Sequence, residues 1–417
     1  MKVLSAATCA IGACGIVAIL LAGCSRSQGT QVLPLGSPGS AQPMAAYSGR
    51  TADLVRGGLT TSRLLELQLE GRLPAPVPPE ALRYEFEQRG HARPQLAFHA
   101  GAQVGLWASN TNFNYLLGQN KSGNKTLTAI DASANGCYSP IALKVDHARN
   151  LWVGCELRSS SATAGVVQKY GSGGVLEKQY IPACPSPVSE CQSFNGYGYD
   201  SGIDSSGHVF ASLNLYDMET CNPTCSSTQG AGFEWWHARK PSAAPTLISL
   251  GSSCAPVCGV GYMDVDGSGT LWFTFSGYDS NQNYGFGLGK VTSPTTNPTF
   301  TIVEPLGTYG FFGGVYVSNA GKTLNVIDQK PRTISQYRLP LAPGGAPFNV
   351  LGPTPTTVFG VGDPVSGGFN QAETEMAIGD TGGWLDIGTV ASNTWSSRSN
   401  LNFYSGIDGA AYTPSDK

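Results

Sequence analysis

A strand–turn–strand phrase recurs six times along this chain and constrains its fold more than any other feature. The copies read AGAQVGLWASN, IALKVDHARNLWVGC, GIDSSGHVFASLN, YMDVDGSGTLWFTF, VYVSNAGKTLNVID and FNQAETEMAIGD. Their second strands begin at Leu106, Leu151, Val209, Leu271, Leu324 and Met376, with spacings of 45, 58, 62, 53 and 52 residues. Strand repeats of roughly this length are typical of β-propellers. The pattern predicts an all-β, six-bladed β-propeller of four-stranded antiparallel blades.

The short turns within the copies and one extra strand after them indicate how the ring is built. The turns DHARN, DSSGH, DGSGT and SNAGK supply residues that tolerate positive φ, as hairpins require. Residues 403–412 read as one more strand after the sixth copy. Inserted into the first blade, this C-terminal strand would close the ring and remove the last free sheet edge.

Composition excludes one large class of partner. Charged residues make up 13% of the chain, the formal net charge is −3, and no cluster of Lys and Arg occurs after the N-terminal segment. A nucleic-acid partner requires a basic surface. We therefore expect no nucleic acid binding.

The N-terminus predicts export. Residues 1–23 contain one Lys, a long uncharged apolar run and small residues at the end, which indicates a signal peptide. The run is long enough to span a bilayer, so an uncleaved anchor is the alternative. Leu21-Ala22-Gly23-Cys24 resembles the lipobox of bacterial lipoproteins. That resemblance implies cleavage before Cys24, lipidation of its thiol and attachment to the bacterial cell envelope, with the outer membrane or cell surface favoured.

The remaining cysteines agree with an oxidising compartment. After Cys9, Cys14 and Cys24 are set aside, eight cysteines remain, and an even number in an exported protein predicts disulfides. Cys137 precedes the first strand of its hairpin and Cys155 ends the second, so we predict a Cys137–Cys155 bond. The simplest pairing of the others is Cys184–Cys191, Cys221–Cys225 and Cys254–Cys258. A zinc site formed by the last two couples is the alternative.

The chain divides into four parts on this interpretation. Residues 1–23 are the signal peptide, and residues 24–52 are a disordered tether rich in Ser, Gly, Pro and Gln. Residues 53–94 form a partly helical lead-in, with a short helix between Pro78 and Gly90. Residues 95–417 form the propeller.

The turn, LWV-like strand and Gly-Gly pattern over residues 95–412 resembles six-bladed propellers of the NHL, gluconolactonase-like and virginiamycin B lyase-like superfamily. The resemblance implies a ligand site on the propeller axis. It also implies that lactonases of this group hold a divalent metal there with Glu, Asn and Asp. This chain lacks a convincing set of such ligands: Asp200 lies just before a first strand, and Asn110, Asp328 and Asp380 end second strands, where capping of turns is the favoured role.

Two further patterns admit a functional and a structural interpretation. Residues 264–269, DVDGSG, suggest a calcium loop, but Phe275 stands where an EF-hand needs Glu, so a hairpin turn is favoured. Aromatic residues cluster before the first strands of three blades, and with Asp200 they form the candidate ligand-binding set: Tyr197, Tyr199, Asp200, Tyr262, Tyr309, Phe311 and Phe312. Stacking rings with few charges suit a neutral ligand. The alternative is that these rings plug the top of the channel.

The sequence therefore favours a lipid-anchored, non-catalytic binding scaffold for a protein, peptide or glycan, with no cofactor and no catalytic residues. A metal-dependent lactonase- or lyase-like enzyme is the alternative function.

Overall fold

A computed structural model describes the propeller part of the chain. The described residues are 104–110, 114–123, 126–158, 163–181, 200–218, 227–250, 257, 259–281, 283–318, 321–354, 364–380, 384–398 and 407–413. The predictions for the signal peptide, Cys24, the tether and the lead-in lie outside these residues. Within these ranges, no helix is both long enough and apolar enough to cross a bilayer.

Twenty-four strands form six four-stranded antiparallel sheets, each of which is one blade. The strands are β1 (Leu106–Asn110), β2 (Tyr115–Gln119), β3 (Thr126–Asp131), β4 (Cys137–Val145), β5 (Leu151–Arg158), β6 (Thr163–Tyr170), β7 (Leu176–Tyr180), β8 (Ser201–Ile203), β9 (His208–Met218), β10 (Ser227–His237), β11 (Thr246–Ser249), β12 (Gly259–Val265), β13 (Leu271–Tyr278), β14 (Tyr284–Thr292), β15 (Thr299–Tyr309), β16 (Phe312–Val317), β17 (Thr323–Asp328), β18 (Thr333–Arg338), β19 (Asn349–Leu351), β20 (Pro364–Phe369), β21 (Glu375–Asp380), β22 (Trp384–Thr389), β23 (Thr394–Arg398) and β24 (Ile407–Tyr412). A short 3-10 helix spans Ala132–Asn135. The predicted fold class is confirmed.

Blades 2 to 6 follow the chain in order, from β4–β7 to β20–β23, and the first blade is assembled from both ends. Its sheet order is β24-β1-β2-β3, with Leu106 opposite Tyr412 and Trp107 opposite Ala411. The predicted closing strand is therefore confirmed. One detail of the repeat was wrong: residues 104 and 105, just before Leu106, are not a strand. The C-terminus supplies the inner strand that the other five copies carry themselves.

The six residues that define the repeat share one position and one role. Each opens the second strand of a blade or lies one residue inside it, and each is at most 1% exposed: Leu106, Leu151, Val209, Leu271, Leu324 and Met376. The core lies between neighbouring blades, where large rings fill the space. Between blades 2 and 3, for example, the Tyr180 ring centroid lies 5.8 Å from those of Trp152 and Trp236.

The hairpin turns explain why Asp and Trp recur six residues apart. Oδ1 of Asp146 accepts hydrogen bonds from the main-chain N–H groups of Ala148 and Asn150, and Oδ2 accepts one from Trp152 Nε1 at 3.0 Å. Asp266 makes the equivalent bond with Trp272 Nε1 at 2.9 Å. An Asx turn of this kind fixes both the hairpin and the ring that packs between blades.

The same bonds decide the interpretation of residues 264–269. Asp266 accepts from the main-chain N–H groups of Ser268 and Thr270, as a turn residue does. The hairpin interpretation of this segment is confirmed.

One disulfide joins the first two strands of blade 2. Cys137 and Cys155 are bonded, with their Cα atoms 5.5 Å apart and both side chains buried. The predicted bond is confirmed. The other six cysteines lie outside the described residues.

The closing strand also fits tightly against blade 2. A Cβ atom at Gly409 of β24 would lie 2.2 Å from the carbonyl oxygen of Ile141 in β4, so only glycine allows this approach. Ring closure thus joins blade 1 internally and braces it against its neighbour.

We predict that a chain ending at Gly406 loses most of its stability, because it lacks β24. Trp107 and Leu106 would lose their covering strand, and the main-chain groups of β1 would lose their partners. We expect a loss on the order of 5 kcal/mol in the free energy of unfolding, measured by urea denaturation. A chain ending at Thr413 is the control and should match the full chain. Equal stability of the two truncated chains would contradict closure by β24.

A buried carboxylate between blades 5 and 6 makes stability depend on pH. Asp386 of β22 is fully buried, and its Oδ1 accepts a hydrogen bond from Ser397 Oγ at 2.6 Å. Burial raises the pKa of Asp386 to about 7, against the opposing effects of the Ser397 hydroxyl and the Arg332 charge. The folded chain therefore binds this proton more tightly than the unfolded chain does.

We predict that Asp386→Asn flattens the dependence of stability on pH between about 4 and 7. In the wild type this carboxyl lowers the free energy of unfolding by about 1.4 kcal/mol for each pH unit of increase within that window. Asn stays neutral, so the variant should gain on the wild type as pH rises. Urea unfolding at several pH values measures the effect.

Asp279→Asn is the matched control, because its contribution should have the opposite sign. Asp279 is exposed, and hydrogen bonds from the main-chain and side-chain N–H groups of Asn283 lower its pKa. Its stabilising effect is lost as pH falls. A wild-type profile that Asp386→Asn leaves unchanged would contradict the assignment.

Candidate functional site

The innermost strands of the six blades surround the propeller axis and carry the candidate site. These strands are β24, β4, β8, β12, β16 and β20. We call the face where they begin the upper face; the hairpin turns between first and second strands lie on the lower face. An innermost strand has an uncovered edge toward the axis, so its main-chain groups need other partners.

Side chains from one blade supply those partners for the next. In each of these bonds the side chain belongs to one blade and the main-chain group to the next blade along the chain. Ser109 Oγ donates to Ile141 O at 3.1 Å, and Asp200 Oδ2 accepts from Met263 N at 3.0 Å. Asp264 Oδ2 accepts from Val317 N at 2.8 Å, and Tyr316 OH accepts from Gly367 N. They join blade 1 to 2, 3 to 4, 4 to 5 and 5 to 6. Each bond satisfies a main-chain group of an inner strand.

Lys144 of β4 joins blade 2 to both blade 3 and blade 4. Its Nζ donates to Ser201 O at 2.5 Å and to Met263 O. The same atom lies 3.4 Å from Asp200 Oδ1 and 3.2 Å from Asp264 Oδ1. We call Nζ and these four oxygens the axial lysine site. The Lys144 side chain is 15% exposed, so the ion pairs are largely shielded from water.

Asp200, the acidic member of the sequence-predicted ligand set, belongs to this site. Its carboxylate accepts from the main-chain N–H groups of Ser201 and Met263, and its side chain is 2% exposed. Burial raises the pKa of Asp200 to about 6, against the opposing effects of Lys144 and the two N–H groups. Its oxygens thus already serve the packing of blades 2, 3 and 4.

An apolar cluster closes the axis on the upper side of Lys144. Ile141 and Ala142 of blade 2, Tyr262 of blade 4 and Val365 of blade 6 are buried together. Phe286 packs against them. Tyr262 was predicted to line a ligand site; the structure places it inside this plug, which was the structural alternative.

A row of aromatic rings leads from this plug toward the rim of the upper face. The ring centroids are 5.2 Å apart for Tyr278 and Tyr284, 5.6 Å for Tyr284 and Phe286, and 4.7 Å for Phe286 and Phe311. Tyr284 is 55% exposed, and the Phe286 and Phe311 rings are half-buried. We call these four residues the aromatic row. It joins the β13–β14 connection of blade 4 to the start of blade 5.

Asp328 fixes the end of this row. Its Oδ2 accepts from Gly310 N at 2.9 Å and its Oδ1 from Phe311 N at 3.1 Å. The backbone that carries the Phe311 ring is thereby held in place. The capping role expected for Asp328 is confirmed.

The other sequence-predicted aromatic residues are not all brought to the row. Tyr309 is buried between blades 4 and 5, with its hydroxyl 2.7 Å from that of Tyr337. Tyr197 and Tyr199, and the side chain of Phe312, lie outside the described part of the chain. Sequence reasoning missed Tyr278, Tyr284 and Phe286. The alternation Tyr284-Gly285-Phe286 at the start of a third strand could have indicated them.

The candidate metal ligands of the alternative function stay on separate blades. Asn110, Asp200, Asp328 and Asp380 belong to blades 1, 3, 5 and 6, or lie just before one of their strands. Among the described residues, no three His, Cys, Asp or Glu side chains are arranged to hold a metal ion. The carboxylates of Asp200 and Asp328 are engaged with main-chain N–H groups instead.

No protein-family model matches this chain, and no curated protein matches its sequence. Several solved structures resemble its fold. A calcium-binding protein, regucalcin, from Agrobacterium tumefaciens is 13% identical over 66% of this chain and 78% of its own, with a TM-score of 0.42. A functionally unknown protein from Desulfotomaculum acetoxidans is 13% identical over 75% and 100% of the chains, with a TM-score of 0.44. A luciferin-regenerating enzyme is 14% identical over 62% and 75%, with a TM-score of 0.40. At these low identities and TM-scores, the similarities do not indicate an activity for this chain.

Proposed function

We propose that this chain is a lipid-anchored binding scaffold of the bacterial cell envelope, and that the aromatic row on its upper face holds a neutral glycan. The single observation that carries this proposal is the row itself, with Tyr284 exposed and the next two rings half-buried. A concave apolar site with a few polar groups is the usual form of a ligand site.

The chemistry of the row favours a neutral ligand. Aromatic rings offer stacking surface, and the Tyr hydroxyls add hydrogen-bonding groups at the wet end. Asp279, which follows Tyr278, and Asp328, which bonds to Phe311 N, accept hydrogen bonds from main-chain N–H groups, so neither points to recognition of a cationic ligand. An extended peptide is the competing ligand that the binding test must distinguish.

The apolar plug on the axis favours ligand binding on the upper face over ligand binding in the central channel. Ile141, Tyr262 and Val365 fill the axis, and Lys144 bridges blades beneath them. A ligand that reached the axis would have to displace buried packing. A ligand that lay along the aromatic row would not.

We expect Tyr284→Ala and Phe311→Ala each to weaken glycan binding roughly fivefold, because each removes a stacking surface worth about 1 kcal/mol. A glycan array followed by calorimetry on the best neutral oligosaccharide gives the measurement. Tyr180→Phe is the matched control, because it alters a buried ring between blades 2 and 3, away from the row, and should leave affinity unchanged. Binding of peptides but no glycan, or equal affinity for all variants, would contradict the proposal.

The anchor has its own test, which is independent of the ligand. We expect Cys24→Ser to abolish incorporation of labelled fatty acid, because lipidation requires the thiol. Metabolic labelling of the two proteins measures this. Equal incorporation of label into the variant, or no label in the wild type, would contradict lipid anchoring.

A further inference from the structure

The axial lysine site has the composition of a cation site. Lys144 Nζ is surrounded by two carboxylate oxygens, from Asp200 and Asp264, and by the carbonyl oxygens of Ser201 and Met263. Carboxylate and carbonyl oxygens are the donors that Ca²⁺ takes in proteins. The donors come from two different blades, so the ring, and not a local loop, brings them to one point.

The charges in this site are not balanced by the lysine. Two carboxylates face a single ammonium, and both carboxylates are anchored by the main chain. Oδ1 of each Asp also accepts from the N–H of the residue that follows it, and a carboxylate oxygen can accept a second bond. Removing the ammonium would leave two carboxylates together without a counter-charge, which is strongly unfavourable in a buried setting.

We propose that the axial lysine site is a cation-binding site that the chain fills with its own Lys144 ammonium, and that removal of this side chain opens it to Ca²⁺. The oxygens stay where the inner strands hold them, and water fills the volume that the lysine stem leaves. Ca²⁺ fits better than Mg²⁺, because it accepts irregular geometry while Mg²⁺ demands a near-ideal octahedron. In the wild type, the Lys144 ammonium and not a metal ion therefore links the blades at this site. The behaviour of this site does not depend on the proposed function.

Two substitutions of Lys144 distinguish the effect of losing its charge from the effect of opening a space for an ion. Lys144→Ala removes the ammonium and its stem, and leaves room for an ion with its waters. Lys144→Met removes the ammonium but fills the path of the stem with an unbranched chain of similar length. Both should unfold at a lower temperature than the wild type near pH 8, since removing one partner of a buried ion pair leaves the other uncompensated.

The decisive measurement is thermal unfolding of EDTA-treated protein at pH 8 with added CaCl₂, MgCl₂ or MnCl₂. Binding to the folded state raises the midpoint. We expect a saturable rise with CaCl₂ for Lys144→Ala, and none for Lys144→Met or the wild type. Lys290→Ala is a further control, because it also removes a partly buried ammonium, which is bonded to Leu341 O and makes no ion pair with a carboxylate of the described residues. A folded Lys144→Ala protein that ignores all three metals would overturn the proposal.

A second pair of experiments keeps the proposal testable if Lys144→Ala is too unstable to isolate. The variant is then refolded with and without CaCl₂, and recovery of folded protein only with CaCl₂ supports the proposal. Failure to refold in both conditions, for Lys144→Ala and for Lys144→Ser, would overturn it. Addition of Asp264→Asn to Lys144→Ala should remove the calcium response. A response that survives this change would place the ion elsewhere and also overturn the proposal.

Discussion

The uncovered inner edge of each blade is the constraint on which the rest of this structure depends. A propeller leaves six strands with main-chain groups turned toward the axis, and a buried N–H or C=O without a partner costs free energy. In this chain, side chains from the preceding blade satisfy those groups, through Asp200, Asp264 and Tyr316 among others. Lys144 extends the principle by bonding to two blades at once. Side chains of the inner strands, with Lys144 among them, therefore lie on the axis and link neighbouring blades.

This use of the axis has an energetic cost and a functional consequence. Burial raises the pKa of Asp200 to about 6, so keeping this carboxylate ionised on the axis at neutral pH lowers the stability of the folded ring. The consequence is that polar groups on the axis act mainly on neighbouring blades. The proposed ligand contacts are then left to the upper face, where the aromatic row passes the apolar plug at Phe286 and continues to the exposed Tyr284.

Features set by local sequence were predictable, and features set by ring geometry were not. The buried anchors, the Asx turns, the closing strand and the Cys137–Cys155 bond all follow from patterns within one repeat or from the count of strands. In the axial lysine site, Lys144 and Asp264 occupy the same position of the repeat, seven residues before Leu151 and Leu271, but the repeat does not show that the two side chains meet each other and Asp200 on the axis. Of the four residues in the aromatic row, the sequence predicted only Phe311, which precedes an inner strand. Tyr284 and Phe286 lie on a third strand, and the repeat pattern does not say where the side chains of that strand point. Tyr309 matched the pattern and yet packs between blades, because its hydroxyl pairs with that of Tyr337.

A crystal structure of the chain beginning after Cys24, soaked with a neutral oligosaccharide, tests the central claim most directly. We predict the Lys144 ammonium on the axis, with Ile141, Tyr262 and Val365 packed above it. We further predict sugar density against Tyr284, Phe286 and Phe311. A sugar or a metal ion bound on the axis, in the space that Lys144 and the apolar plug occupy, would contradict the account.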